Sequence, residues 1–432
     1  MLWVVYNLLF PVVFFFMLPK FISRMLRRGG YGQHFEQRIG HFGHNTKAQL
    51  REHRRVWIHA VSVGEIYVAL RFMKAYREAH PSTFFALSTT TSTGHAIARK
   101  ELDSRDVLFY FPVDLPVIIR KVLRIVDPVR IILVEGELWP NLVRLADRQG
   151  IPISLINGRM SERSFKGYRR LRPLVADVLR RIDPICVQGE VDAKRLVGLG
   201  APPERVHVMG TVKFDVAGRN PKGEKAALEI LRRIGVSSDA VVLLGGSTWP
   251  GEEAALCKIY KTLRQKYPNL FLVLVPRHVE RSPEIVQCLE EQALSFICRS
   301  QLENFQSLER PDVLFVDTTG ELSHFYAVAD IVFVGKSLLE HGGQNPIEPA
   351  LCGKAVVVGP NMENFPAVMP LFLQNEAIVQ VPNLQSLETA IAHLVADQSA
   401  RVALGERAAK LVEENRGTIQ KTVRLLERAN RE

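Results

Sequence analysis

Carboxylates follow apolar, strand-like runs at two places in the first half of the chain. Glu65 closes the segment SVGE (62–65), and Glu135 and Glu137 lie in VEGELWPN (134–141). A carboxylate reached through a glycine turn at a strand end can take a proton from a hydroxyl group. A glutamate favoured by the dipole of the helix that begins there explains Glu65 equally well. The acidic pair is more telling, because two like charges on one side of an extended chain are costly to bury without a partner or a function.

Polar loops also follow the strand-like runs of the second half. They are GGSTWPGEE (245–253), VPRH (275–278), DTTGEL (317–322) and GGQNPIEP (342–349). The carboxyl ends of parallel strands meet at one edge of a sheet, so these loops are predicted to converge on one pocket. There Arg277 would bind a phosphate through two hydrogen bonds, and Gly320 and the helix starts would offer backbone N–H donors.

Glu348, in the last of these loops, has two interpretations. Asn345 and Glu348 have the spacing of a capping box, with Pro346 at the first helical position. A carboxylate there could equally accept the two hydroxyls of a ribose. The spacing does not decide between them.

The elements that position these residues alternate between strand and helix. Apolar runs occur at 56–62, 84–90, 107–112, 130–137, 151–157, 184–189 and 206–210, and again at 240–247, 270–276, 294–300, 313–317, 330–335, 355–360 and 377–382. Helix-length amphipathic stretches separate them, which predicts an α/β fold with doubly wound parallel sheets. A chain of 432 residues exceeds one usual core. We therefore expect two Rossmann-like domains that face each other across a cleft.

The alternation and changes in composition give the expected domain limits. These are a membrane anchor with its basic flank (1–28), a first Rossmann-like domain (29–212), a polar linker (213–238), a second Rossmann-like domain (239–400) and a charged C-terminal helix (401–432). The last helix is interpreted as solvated, with the option that it crosses back to the first domain.

Residues 2–18 are almost entirely apolar, with Asn7 as the strongly polar exception, and Lys20, Arg24, Arg27 and Arg28 follow. A secretory signal would carry its charge before the apolar stretch. The length is slightly below the about 20 residues of a bilayer span, and Pro11 would kink a helix. We expect a membrane anchor or a monotopic insertion with the basic side in the cytoplasm, and a buried core helix is the alternative.

The charge of the chain indicates which partners it binds, and its cysteine content indicates its compartment. The 56 basic and 45 acidic side chains give a net charge of +11, which favours anionic membrane lipid or a phosphorylated substrate. Nucleic acid is not expected, since the basic residues are not interleaved with aromatic ones. The five scattered cysteines predict neither a disulfide framework nor a zinc site and indicate a reducing compartment.

Taken in order, eight segments resemble the 3-deoxy-D-manno-octulosonic acid (Kdo) transferases of lipopolysaccharide synthesis. They are SVGE, E-x-E-LWPN, INGRMS, VKFD, GGSTWPGEE, VPRHVER, DTTGEL and NPIEPA, which together cover almost the whole chain. The resemblance implies a GT-B glycosyltransferase that inverts configuration and uses neither a metal nor a cofactor. It would transfer Kdo from CMP-Kdo to a lipid A precursor of the lipid IVA type at the cytoplasmic face of the inner membrane.

The resemblance also implies roles for residues. Glu65 matches the general base, and Glu135 and Lys213 match positions that stabilise the transition state. The matches to the loops that bind CMP are Pro276, Arg277, Thr319, Gly320, Glu321, Asn345, Pro346, Ile347 and Glu348. A single inverting step fits this set, because it requires a base for the acceptor and stabilisation of a departing phosphate.

Five residues depart from the family pattern. Trp249 and Pro250 replace the usual His-Glu, and Gln344 replaces a histidine. Lys336 stands where a second glycine is usual, and Gly158 stands where alanine is frequent. These departures affect the residues that are expected to contact the donor.

Two other functions are compatible with the sequence: a GT-B transferase or epimerase that uses a UDP-sugar, and a non-catalytic, membrane-associated nucleotide-binding module.

Overall fold

The computed structural model describes residues 3, 6–8, 34–216, 218, 220–304 and 309–428, although not the side chains of residues 216 and 304. The chain divides into two compact units. Unit 1 comprises residues 1–212 and 417–432, and unit 2 comprises residues 213–416. Each contains a seven-stranded parallel sheet with helices, as the α/β pattern predicts.

In unit 1 the sheet has the strand order β3-β2-β1-β4-β5-β6-β7. Its strands are β1 (Val56–Ala60), β2 (Phe85–Thr89), β3 (Val107–Tyr110), β4 (Arg130–Val134), β5 (Ile153–Gly158), β6 (Ile185–Val187) and β7 (Val206–Val208). Its helices are α1 (His44–Glu52), α2 (Val63–Ala79), α3 (Ser92–Glu101), α4 (Pro116–Val126), α5 (Pro140–Asp147), α6 (Glu162–Arg170), α7 (Arg172–Leu179), α8 (Glu190–Leu199) and, from the end of the chain, α18 (Thr418–Arg428). Two short 3-10 segments, Phe35–Ile39 and Pro203–Arg205, complete it.

In unit 2 the order is β10-β11-β9-β8-β12-β13-β14. Its strands are β8 (Val241–Thr248), β9 (Leu270–Pro276), β10 (Phe296–Cys298), β11 (Val313–Phe315), β12 (Ile331–Val334), β13 (Ala355–Val358) and β14 (Val379–Gln380). Its helices are α9 (Lys213–Val216), α10 (Pro221–Arg233), α11 (Glu252–Leu263), α12 (Ser282–Glu291), α13 (Leu322–Val328), α14 (Ile347–Leu351), α15 (Met369–Gln374), α16 (Leu384–Ala396) and α17 (Gln398–Glu414), with 3-10 segments at Val279–Arg281 and Arg299–Asn304.

The central strands are buried on both faces, which is why they read as continuous apolar runs. In β1, Trp57 packs into one apolar cluster of unit 1, while Val56, Ile58 and Ala60 pack into the cluster on the opposite face. This follows from the alternation of side chains along a strand. Unit 2 has the same two-sided core around its sheet.

Both sheets reverse their winding next to their first strand. In unit 1, β1 pairs with β2 on one side and with β4 on the other. In unit 2, β8 pairs with β9 and β12. Such a switch point opens a crevice at the carboxyl ends of the strands, where doubly wound proteins bind ligands. The segments SVGE and EGELWPN (135–141) follow β1 and β4. The segment WPGEE (249–253) and the loop from Lys336 follow β8 and β12.

The segment expected to be a linker, 213–238, differs from that expectation. It forms α9 and α10, and Phe214, Ala227, Ile230 and Leu231 are part of the apolar core of unit 2. Within α10, Ala227, Ile230 and Leu231 have the i, i+3, i+4 spacing of an amphipathic helix. The flanking glycine and proline residues obscure this pattern in the sequence. The C-terminal part is also two helices: α17 belongs to unit 2, and α18 packs its Ile419, Val423 and Leu426 into the core of unit 1.

The predicted anchor, residues 2–18, lies outside the described residues apart from 3 and 6–8. Trp3 donates a hydrogen bond from Nε1 to Asp177 of α7 at 2.9 Å. The hydroxyl of Tyr6 donates to Asp114 at 3.1 Å, and Asn141 donates to Asn7 at 2.9 Å. A search of the described residues finds no helix with the length and hydropathy of a membrane span.

Candidate functional site

Three glutamates meet at the switch point of unit 1. Glu65 lies in the first turn of α2 after β1, and Glu135 and Glu137 follow the adjacent strand β4. Burial raises the pKa of Glu137 to about 7, and the charges of Glu65 and Glu135 raise it as well. The predicted acidic residues are therefore brought together in space. A carboxyl group that titrates near neutral pH can both accept and donate a proton.

Glu65 is held by the capping box that opens α2. Its Oε1 accepts the Ser62 N–H at 3.2 Å and its Oε2 accepts the Val61 N–H at 2.9 Å, while Ser62 Oγ accepts the Glu65 N–H at 3.3 Å. The residue is buried, with 6% of its surface exposed. Both interpretations made from the sequence are thus compatible: the carboxylate caps the helix, and each oxygen keeps a second lone pair for a substrate.

Glu135 has a left-handed backbone, with φ of 62°, and so does Asn157 at the end of the neighbouring strand β5, with φ of 52°. Asn157 donates from Nδ2 to Glu135 Oε1 at 3.4 Å, and Gln188 donates to the Asn157 carbonyl at 3.1 Å. Non-glycine residues in this conformation cost roughly 1–3 kcal/mol each and concentrate at functional sites. The strand ends β4 and β5 are therefore strained where the acidic pair lies.

Glu137 also lines a cavity of about 360 Å³ within unit 1. Its other lining residues are largely apolar: Tyr6, Gly136, Leu138, Trp139, Pro140, Tyr168, Leu171, Leu174, Val175 and Val178. Trp139 Nε1 is buried without a hydrogen-bond partner among the described residues. The cavity thus combines largely apolar walls with one carboxyl group.

In unit 2, Pro276 and Arg277 follow β9 beside the end of β8. The Arg277 N–H donates to the Thr248 carbonyl at 3.1 Å, and its side chain is exposed. Among the described residues, no carboxylate forms an ion pair with the Arg277 guanidinium within 4.0 Å. The group is therefore available to an anion at the carboxyl edge of the sheet.

The loop after β11 carries Thr319, Gly320 and Glu321. Thr319 and Gly320 are exposed, and Gly320 has φ of 88°, a value that favours glycine. Glu321 pairs with Arg299 at 3.1 Å and accepts a hydrogen bond from the Thr318 hydroxyl. The loop is thus fixed through Glu321, which leaves the backbone around Gly320 open.

Of the two interpretations of Asn345 and Glu348, the capping box is not formed in its usual way. Helix α14 begins at Ile347, and Asn345 Oδ1 accepts the Ile347 N–H at 3.0 Å. Glu348 Oε1 accepts instead from the Asn345 side chain, Nδ2, at 2.9 Å. Glu348 is also close enough to the buried Tyr326 to raise its pKa, after the larger effect of burial. The carboxylate is therefore oriented by a side-chain amide and keeps its second oxygen.

Lys213 begins α9 in unit 2. Its ammonium donates to the Asn364 carbonyl and lies 4.3 Å from the centre of the Phe365 ring. Glu65 and Glu135 belong to unit 1, so the three residues matched to catalytic roles divide between the two units.

Sequence reasoning missed Glu252 as a structural centre. It is fully buried, and its two oxygens accept the backbone N–H groups of Trp249, Lys336, Ser337 and Leu338 at 2.9–3.2 Å. Burial raises the pKa of Glu252, and the N–H groups of Lys336, Trp249 and Leu338 oppose that effect. The signal was present as a pair of glutamates shortly after a strand, a feature that resembles the pair Glu135 and Glu137.

Asp114 was also missed. It is fully buried, accepts the N–H groups of Asn141 and Leu142 at 2.9 Å, and burial raises its pKa to about 6. It fixes the start of α5, directly after the acidic pair. Among the described residues, no group of three His, Cys, Asp or Glu side chains is arranged to hold a metal ion.

Comparison with known proteins agrees with these two units. Residues 33–216 match the family model of 3-deoxy-D-manno-octulosonic-acid transferase (kdotransferase), and residues 255–411 match that of glycosyl transferases group 1. Two solved structures share the fold: a protein from Anabaena in complex with UDP (14% identity, 88% of this chain and 100% of that chain, TM-score 0.57) and a glycosyltransferase from Rickettsia africae (11%, 86% and 98%, TM-score 0.54).

Curated relatives extend the match along the chain. The 3-deoxy-D-manno-octulosonic acid transferase of Haemophilus influenzae is 31% identical over 92% of this chain and 91% of its own length. The enzyme of the same name from Bordetella pertussis is 30% identical over 94% of both chains. The chain is a glycosyltransferase and belongs to the family of 3-deoxy-D-manno-octulosonic acid (Kdo) transferases.

Proposed function

We propose that the protein transfers Kdo from CMP-Kdo to a lipid A precursor of the lipid IVA type, with inversion of configuration. The observation that carries the proposal is the cluster of Glu65, Glu135 and Glu137 at the switch point of unit 1, in a chain that belongs to the Kdo transferase family. An acceptor hydroxyl needs a base, and this cluster concentrates proton-accepting groups where such folds bind ligands.

In the proposed reaction, Glu65 takes the proton of the acceptor hydroxyl. The hydroxyl oxygen bonds to the anomeric carbon of Kdo as the bond from that carbon to the phosphate oxygen breaks, and CMP leaves with the bonding electrons. Glu135 and Lys213 stabilise the transition state. The raised pKa of Glu137 gives it a supporting role, since its charge controls the field that acts on the neighbouring base.

The loops of unit 2 are proposed to hold the donor. Arg277 is exposed for a phosphate, the backbone around Gly320 is open, and Glu348 is oriented with one oxygen free for ribose hydroxyls. The contact residues are Pro276, Arg277, Thr319, Gly320, Glu321, Asn345, Pro346, Ile347 and Glu348. Arginine and backbone donors can stabilise a departing phosphate without a cation.

We also propose that the protein works at the cytoplasmic side of the inner membrane. The support is the sequence of residues 2–18 and the basic residues that follow, which suit insertion beside anionic lipid. Such a position would give the enzyme access to an acceptor that is itself embedded in the bilayer.

The test is transfer by the purified full chain. It is incubated with CMP-Kdo and a tetra-acylated lipid A precursor, and the products are resolved by mass spectrometry with and without a chelator. We expect a mass increase of Kdo units that the chelator does not reduce. No product with CMP-Kdo, together with product from a UDP-sugar, would contradict the proposed donor.

The role of Glu65 is tested by Glu65→Gln, which is expected to lower kcat by about 10²–10⁴-fold, the usual contribution of a general base. Because Glu65 also caps α2, Ser62→Ala is the matched control: it removes the cap acceptor and keeps the carboxylate. Equal losses of turnover in both variants would assign Glu65 a structural role instead.

A further inference from the structure

Two of the residues that depart from the family pattern, Trp249 and Lys336, contact each other. Trp249 follows β8 and Lys336 follows β12, the two strands that flank the switch point of unit 2. The Lys336 ammonium lies 4.2 Å from the centre of the Trp249 ring, within the range of a cation–π interaction. The pair therefore lies where a doubly wound sheet places its ligand.

The carboxylate of Glu252 fixes the backbone of Trp249 and Lys336. One carboxylate oxygen, Oε2, accepts the N–H groups of both Trp249 and Lys336 at 2.9 Å. The preceding Gly335 is pressed against β8, and a Cβ there would lie 2.2 Å from the Ser247 carbonyl oxygen. The loops after β8 and β12 therefore have little freedom, so the side chains of Trp249 and Lys336 leave a rigid base.

Lys336 has a left-handed backbone, with φ of 57°. A glycine adopts this conformation without cost, whereas a lysine is strained. Within the part of the chain that the structure describes, its ammonium is paired with no carboxylate, and Trp249 Nε1 is buried without a hydrogen-bond partner. The strained backbone of Lys336 therefore carries an ammonium group that lies against an aromatic ring and that no carboxylate neutralises there.

The surroundings of Lys336 are the loops assigned to the donor. The Lys336 carbonyl accepts the Gly343 N–H at 3.0 Å, and the Gln344 N–H donates to Gly335 at 3.1 Å, directly before Asn345. On the other side, the Arg277 N–H is bonded to Thr248, the residue before Trp249. Arg277 and Lys336 thus flank Trp249, because each follows a strand adjacent to β8.

We propose that Lys336, held by Trp249, is a binding residue for the phosphate of the nucleoside monophosphate moiety of the donor. This inference rests on the proposed function, because it assumes a cytidine monophosphate donor. Two cations on either side of one strand suit a phosphate, which carries up to two negative charges and offers several acceptor oxygens. Lys336 would then supply a charge that the family pattern, with glycine there, does not.

The test compares CMP with cytidine, which lacks the phosphate, by isothermal titration calorimetry on the full chain. Lys336→Met is expected to weaken CMP binding by about tenfold, the loss typical of one charge-assisted hydrogen bond, and to leave cytidine binding unchanged. Lys336→Arg should retain most of the CMP affinity. Lys258→Met, which removes an exposed charge from α11 of the same unit, is the matched control and should change neither affinity.

A second variant separates binding from folding. Lys336→Gly relieves the left-handed strain, so its thermal midpoint should equal or exceed that of the wild type while CMP affinity falls as in Lys336→Met. Trp249→Ala should weaken CMP binding in the wild type and have no further effect in Lys336→Met, because the ring acts through the ammonium.

The possible results distinguish the two proposals. If the wild type binds neither CMP nor cytidine, the cytidine nucleotide donor of the proposed function is wrong, and this inference fails with it. If the wild type binds CMP and Lys336→Met binds it equally well, or loses CMP and cytidine affinity in the same proportion, only the role of Lys336 is overturned.

Discussion

Replacing Glu137 by glutamine should make unit 1 more stable in alkaline solution and leave it unchanged in acid. Burial, with the charges of Glu65 and Glu135, raises the pKa of Glu137 from 4.5 to about 7. The native state therefore binds this proton more tightly than the unfolded chain. The contribution of Glu137 to the stability of unit 1 is greatest below its pKa in the unfolded chain. It falls as the pH rises from about 4.5 to about 7, and it stays low above that.

The magnitude follows from the same shift. One pKa unit corresponds to about 1.4 kcal/mol, so the full shift would be about 3 kcal/mol. Glu137 is half-buried and water screens part of this, so we expect Glu137→Gln to gain about 2 kcal/mol over the wild type at pH 8.5. In a unit of this size, that is a rise in thermal midpoint of about 4–8 °C. At pH 4.5 the two proteins should unfold together.

The assay is scanning calorimetry between pH 4.5 and 8.5, with the transition of unit 1 resolved from that of unit 2. Glu101→Gln, at an exposed position at the end of α3, is the control and should show no pH-dependent difference from the wild type. If Glu137→Gln and the wild type are equally stable at both pH values, or if the variant is less stable at pH 8.5, the native carboxylate is ionised and well solvated, and burial does not raise its pKa.

Three further predictions concern other parts of the chain. Glu252→Ala leaves four backbone N–H groups without their acceptor and should lower the free energy of unfolding of unit 2 by about 3–5 kcal/mol in urea titrations; Glu284→Ala, on an exposed helix end, should cost less than about 1 kcal/mol, and similar losses would contradict the role of Glu252. Gly405→Ala places a Cβ 2.0 Å from the Gly353 carbonyl oxygen and should cost about 1–3 kcal/mol, whereas an unchanged unfolding midpoint would mean that α17 can shift freely. Replacing Lys20, Arg24, Arg27 and Arg28 by glutamine should weaken sedimentation with anionic vesicles by about 1 kcal/mol per charge, with no change on neutral vesicles, and equal binding by the variant would contradict the proposed role of the basic flank.

The sheets could be predicted because parallel strands buried on both faces leave an unmistakable apolar pattern. The run VWIHAVS, for example, contains β1, and LFLVLVP is β9 in full. The strand-end positions of Glu65, Glu135 and Arg277 followed from those runs. Residues 213–238 lack such a run: their polar residues and glycines predict a linker, although Ala227, Ile230 and Leu231 form a helical apolar face.

The finer geometry of the site could not be predicted, because it depends on contacts distant in sequence. The spacing around Glu348 allows either a helix cap or a ribose contact, and in the structure the Asn345 side-chain amide, two residues before α14, holds its carboxylate. The role of Glu252 depends on N–H groups more than eighty residues away along the chain. Lys336 was noticed only as a departure from a pattern, and its contact with Trp249 required the alignment of β8 beside β12.

The placement of α18 has a consequence for the order in which the protein matures. Ile419, Val423 and Leu426 complete an apolar surface of unit 1 that the first 212 residues leave uncovered, yet the whole of unit 2 is synthesised in between. During translation, the N-terminal half would therefore emerge with an exposed hydrophobic patch over Phe72 and Tyr76 of α2. Chaperones that recognise such patches would be expected to associate with the nascent chain until α18 leaves the ribosome.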